Sequence, residues 1–115
     1  MSKNRIMTHL VAFYPDEEGS FAAARGLSDG GASYIELQFP FSDPSADGPV
    51  IQKACSRALE AGFSLEAGFS LAERIIGYTK VPLFIMTYAN PVVTMGVEAF
   101  VARAAGAGAA GVIVP

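Results

Sequence analysis

The chain of 115 residues is a single-domain length, and 51% hydrophobic residues supply enough apolar material for a packed core. Eleven acids against eight bases leave a formal charge of -3 without any run of Lys or Arg, which argues against nucleic acid or an acidic membrane surface as a partner. Cys55 is the single cysteine, expected to be inert packing in a reducing compartment, and the opening MSKNRIMTHLVAFYPDEEG fits neither a signal peptide nor a spanning helix, so a cytoplasmic protein is expected.

Short apolar runs alternate with helical patterns along the chain, the arrangement of βαβ units around a parallel sheet. The first strand is expected at 6–13. A helix follows at about 19–28, where FAAARGL supplies apolar residues at helical spacing and Gly30-Gly31 stops it. The second strand is expected at 34–39, and like the other three it is a near-continuous apolar run of the kind a sheet covered on both faces needs. The region from Pro49 to about 79 is long enough for two helices, with Pro49 suited to a first helical position that needs no N–H. A third strand is expected at 83–88, a helix at about 97–105 ending in a Gly106/Gly108 turn, and a fourth strand at 110–114.

Inside the second helical region LEAGFS occurs at 59–64 and again, unchanged, at 65–70. A six-residue step turns a helix by about 600°, or about 240° past whole turns, so both copies cannot present one face of a continuous helix. Each copy holds a glycine able to close a helix and a serine able to cap the next. Ser70 has Glu73 three residues on to complete a capping box whereas Ser64 has Ala67 there, so the last helix of the region is expected to start at Ser70.

The stretch YIELQFPFSDPSADGPVIQKA, 34–54, runs from strand through a Pro/Asp/Gly-rich loop into a helix. Glu36 lies in an otherwise apolar strand, where an ionised carboxylate is costly without partners. It reads as a strand residue on an exposed side, a salt-bridged core acid or a general acid/base. Asp43 and Asp47, beside Pro44 and Gly48, read as turn formers or as chemistry.

PFSDPSADGP with the preceding Glu36, and the later MTYANP, closely resembles tryptophan synthase alpha subunits, and the similarity runs from AFYPD in the first strand region to GVIVP at the end. The resemblance implies an α/β fold, half of a (β/α)8 TIM-type barrel with four parallel strands and covering helices over 1–115. It implies a lyase of tryptophan biosynthesis that cleaves indole-3-glycerol phosphate, with Glu36 as the general acid/base, Asp47 as the second catalytic carboxylate, and Tyr88 lining the pocket. His9 departs from the family, which carries an aromatic apolar residue there; it reads as a pocket residue or an added proton carrier, with no cluster that would make it a metal ligand. No cofactor is implied, and a tryptophan synthase beta subunit is the family's partner.

A complete barrel of this type takes about 250 residues, and the family's phosphate site and mobile lid belong to its second half. The expectation is therefore a fragment inactive alone, or a half-barrel module that associates with itself as a homo-oligomer or complements a second half.

Overall fold

Side chains alternate across four parallel strands, and that alternation separates a face packed under helices from a face that carries the polar residues. The computed structural model describes residues 5–115. The elements run β1 (Met7–Val11), α1 (Glu17–Asp29), β2 (Tyr34–Gln38), α2 (Pro49–Glu60), α3 (Leu65–Tyr78), β3 (Leu83–Met86), α4 (Ala89–Met95), α5 (Val97–Ala107) and β4 (Gly111–Ile113). The sheet order is β1-β2-β3-β4, so each strand lies beside its neighbour in sequence, as successive βαβ units require.

Ile35, Leu37, Leu83 and Ile85 point under the helices and are at most 1% exposed. Their neighbours in register face the other way. His9 pairs with Glu36, Glu36 with Phe84 and Phe84 with Gly111, while Val11, Gln38, Met86 and Ile113 form the next row toward the strands' C-terminal ends. Gly111 has a steric reason: a Cβ there would come within 3.1 Å of the Phe84 ring.

Helix ends follow the local chemistry. Asp16 caps α1, its Oδ1 accepting from Gly19 N–H at 2.6 Å. Pro49 takes the first turn of α2 as expected. The helix α4, which the sequence reading did not anticipate, tolerates Pro91 because the first turn of a helix has no intrahelical partner for its N–H groups.

The repeat resolves differently from expectation. Gly62, with φ of +100°, closes α2, and the amides of Gly62 and Phe63 bond back to Leu59 and Ala58 carbonyls in a Schellman motif. Ser64 then caps α3, its Oγ accepting from Ala67 N–H at 3.1 Å. The expected start at Ser70 is thus incorrect: the whole second copy is helical and Ser70 is an exposed residue inside α3.

Packing decides this. Phe69 is fully buried with its centroid 5.2 Å from Phe39 and 5.1 Å from Phe100. Gly68 lies against Phe39 and Phe63, where a Cβ would come within 2.9 and 2.7 Å of the rings. Burying a phenylalanine is worth about 1.5–3 kcal/mol, against about 0.5–2 kcal/mol for a cap at Ser70. Glu73, freed from capping, meets the Arg103 guanidinium at 3.2 Å. The glycine that ends a helix in the first copy serves close packing in the second.

The two serines therefore separate in a stability measurement. Ser64→Ala is expected to lower the unfolding free energy by about 0.5–2 kcal/mol in urea. Ser70→Ala is expected to change it by less than about 0.5 kcal/mol. The reverse order would place the native cap in the second copy.

Candidate functional site

The polar residues of the sheet gather where β1 and β2 run toward their C-terminal ends. Glu36 is largely buried, and its Oε1 lies 4.0 Å from His9 Nε2. The His9 ring nitrogen Nε2 lies 2.7 Å from Gln38 Oε1. Gln38 Nε2 in turn donates to Asp47 Oδ2 at 2.9 Å and to Cys55 Sγ at 3.7 Å. These contacts join Glu36, on the strand, to Asp47, in the following loop, through two intervening side chains.

The loop is held from a second side. Tyr88, just beyond β3, donates its hydroxyl to the same Asp47 Oδ2 at 2.8 Å and accepts from Ala46 N–H at 2.9 Å. Its ring stacks on Phe41, with centroids 5.8 Å apart. Burial, then the hydrogen bond to Asp47, pushes the Tyr88 phenol up from its ordinary value, so at neutral pH it remains a donor. Gln52 Nε2 closes the loop's far end on the Asp47 carbonyl at 2.8 Å.

Of the residues expected from sequence, Glu36, Asp47, Tyr88 and His9 all fall on this one network. Asp43 does not join it and is exposed. Cys55 is fully buried, and desolvation pushes its thiol up, with the nearby Asp47 carboxylate acting in the same direction; this is the environment of an inert packing thiol. Gln38 was missed. It is 1% exposed, and its position two residues beyond Glu36 on the same face was the only signal available.

The arrangement can hold one carboxylate, Asp47, as a fixed acceptor while Glu36 sits largely buried beside an imidazole. Such a pair suits proton transfer at one point of a ligand and stabilisation of positive charge at another. Among the described residues no group of three or more His, Cys, Asp or Glu side chains could hold a metal ion.

A family profile described as tryptophan synthase alpha chain matches residues 1–115. The tryptophan synthase alpha chain of Helicobacter hepaticus is 45% identical over 119 residues, which cover 98% of this chain and 45% of that protein. That of Methanosarcina acetivorans is 49% identical over 110 residues, covering 96% of this chain and 40% of that protein. A tryptophan synthase complex from Pyrococcus furiosus superimposes with a TM-score of 0.90 at 37% identity, covering 96% of this chain and 45% of that one. Ligand-free tryptophan synthase from M. tuberculosis gives 0.91 at 37% identity, covering 96% and 44%. The chain spans less than half the length of these relatives, and its four strands with their helices are the α/β fold of half a TIM-type barrel.

Removing the Tyr88 hydroxyl tests how the loop is held. Tyr88→Phe is expected to lower stability by about 1–3 kcal/mol, because it deletes one bond to a charged acceptor and one to a backbone amide. It should also speed hydrogen exchange at the Ala46 amide. Unchanged exchange at Ala46 would mean that the loop is held by other contacts.

Proposed function

This chain belongs to the tryptophan synthase alpha chain family, and on that premise we propose that it supplies the acid/base strands of a lyase of tryptophan biosynthesis. The substrate is indole-3-glycerol phosphate and the products are indole and glyceraldehyde 3-phosphate. The observation that carries the reading is the single network linking Glu36 to Asp47 on the sheet's polar face, at the end where barrel enzymes build their sites.

In this reading protonated Glu36 delivers its proton to indole C3. The resulting carboxylate takes the proton from the glycerol hydroxyl, the carbon–carbon bond breaks, and its electrons return to the ring as the aldehyde forms. Asp47 accepts from the ring N–H and stabilises the positive charge that the ring carries between those steps. Tyr88 and His9 line the pocket. The substrate phosphate is assigned to strands five to eight of the barrel, so this half by itself binds substrate too weakly for appreciable turnover. A tryptophan synthase beta subunit is the proposed protein partner and the cytoplasm the proposed location; no helix among the described residues is long and apolar enough to cross a membrane.

A second reading, a module that pairs with a copy of itself or with a second half, is favoured by apolar exposure along the outer strands. Ile6 and Met7 are 60% and 46% exposed at the start of β1, and Val114 is 46% exposed just past β4. In this reading the chain is a dimer or larger at micromolar concentration by light scattering, and Ile113→Lys weakens the assembly. A clean monomer contradicts it.

Cleavage of indole-3-glycerol phosphate, assayed with the chain alone and after mixing with a chain carrying strands five to eight of a relative, tests the lyase reading. The chain alone is expected to show little or no turnover and the mixture to show cleavage. Glu36→Gln is expected to reduce that cleavage by about 100-fold or more, since an amide cannot shuttle the proton. Cleavage by the mixture that survives Glu36→Gln would remove Glu36 from the reaction.

A further inference from the structure

We propose that Gln38 is a positioning residue that couples His9 to Asp47 through a hydrogen-bond chain of fixed direction, and that this direction holds neutral His9 as the Nε2–H tautomer. The role in turnover rests on the lyase reading. The direction of the chain rests on geometry alone.

An ionised carboxylate only accepts, so the Gln38 atom 2.9 Å from Asp47 Oδ2 is the NH2 group. The amide's other end, 2.7 Å from His9 Nε2, is then the carbonyl oxygen, which also only accepts. The hydrogen between them must therefore sit on Nε2. Tyr88 points the same way: its oxygen already accepts from Ala46 N–H, and its own hydrogen goes to Asp47 Oδ2.

Burial keeps the amide from turning over. Gln38 is 1% exposed, and its Nε2 reaches both Asp47 Oδ2 and Cys55 Sγ. A flipped amide would set its oxygen against the Asp47 carboxylate, two acceptors with no hydrogen between them. Gln38 and Tyr88 thus both donate to Asp47 Oδ2, which leaves Oδ1 to take a ligand's donor.

For His9 the consequence is specific. Nε2 is committed as a donor to Gln38, with the Glu36 carboxylate 4.0 Å from the same nitrogen, so the neutral ring offers only the Nδ1 lone pair. A proton that the ring takes up must enter at Nδ1. Gln38 therefore decides which atom of His9 can do chemistry.

His9 is the single histidine of the chain, so a long-range 1H–15N correlation spectrum of labelled protein without a histidine tag reads its tautomer without ambiguity. Above the ring's titration range the native chain is expected to show one population protonated at Nε2. Gln38→Met, close in volume and only a weak acceptor, is expected to give an averaged mixture of both tautomers. Asp47→Asn, whose amide can donate or accept, frees the Gln38 amide to turn and is expected to shift the ring toward a mixture; it serves as the second route if Gln38→Met fails to fold. A native spectrum with the proton on Nδ1 or averaged between the nitrogens overturns the proposal, as does an unchanged spectrum in the folded variants.

In the mixed-chain cleavage assay, Gln38→Met is expected to lower kcat by about tenfold or more with a smaller change in KM, the pattern of a misplaced group in place of lost binding. An unchanged kcat overturns the positioning role. Absence of cleavage in the native mixture counts against the lyase reading alone, and the spectra still decide the direction of the chain.

Discussion

Asp47 Oδ2 accepts from Gln38 at the end of β2 and from Tyr88 just beyond β3, and through it the loop between β2 and α2 is fastened to two neighbouring strands at once. A loop rich in Pro, Asp, Ser and Gly has little apolar surface with which to order itself. Here order comes from charge-assisted bonds to donors that the sheet already holds in place. The bond from Ala46 N–H to Tyr88 and the one from Gln52 to the Asp47 carbonyl extend the same fastening to either side. Without the two donors on Oδ2, Asp47 would be a surface carboxylate on a mobile loop, and no defined distance would relate it to Glu36.

The donors are themselves fixed by what lies under the sheet. Immediately after Gln38 the chain sends Phe39 to the helix side, where it packs against Phe63, Phe69 and Phe100. Gly68 in α3 allows that approach, since its missing side chain leaves room for the Phe39 and Phe63 rings. One end of β2 is thus clamped by an aromatic cluster on one face and by the Gln38 amide on the other. The register of α3, and so the fate of the repeated hexamer, bears directly on where Asp47 sits.

Much of this was legible in the sequence, and the failures have physical reasons. The strands showed as apolar runs, although each proved shorter than its run, as in β1, where the chain leaves the ladder after Ala12, whose N–H still donates to the Gln38 carbonyl, with φ of +67° at Phe13. Helix α4 left no periodic signal in its seven residues. The Ser70 capping box was a sound local argument that lost to tertiary contacts at Phe69 and Gly68, which only the fold brings into being. Glu36 and Asp47 stood out as acids in unusual surroundings. Gln38 did not, because a neutral amide in a strand belongs to no motif, and its meaning lies in partners 29 and 9 residues away.

The most direct test is a double-mutant cycle on the two donors, Gln38→Met and Tyr88→Phe, with unfolding free energies measured for both singles and the double. Since both side chains act on one carboxylate oxygen, their effects should not add, with an interaction energy of about 0.5–3 kcal/mol. Strict additivity, within about 0.3–0.5 kcal/mol, would show that Gln38 and Tyr88 do not act through a shared Asp47 and would contradict the account.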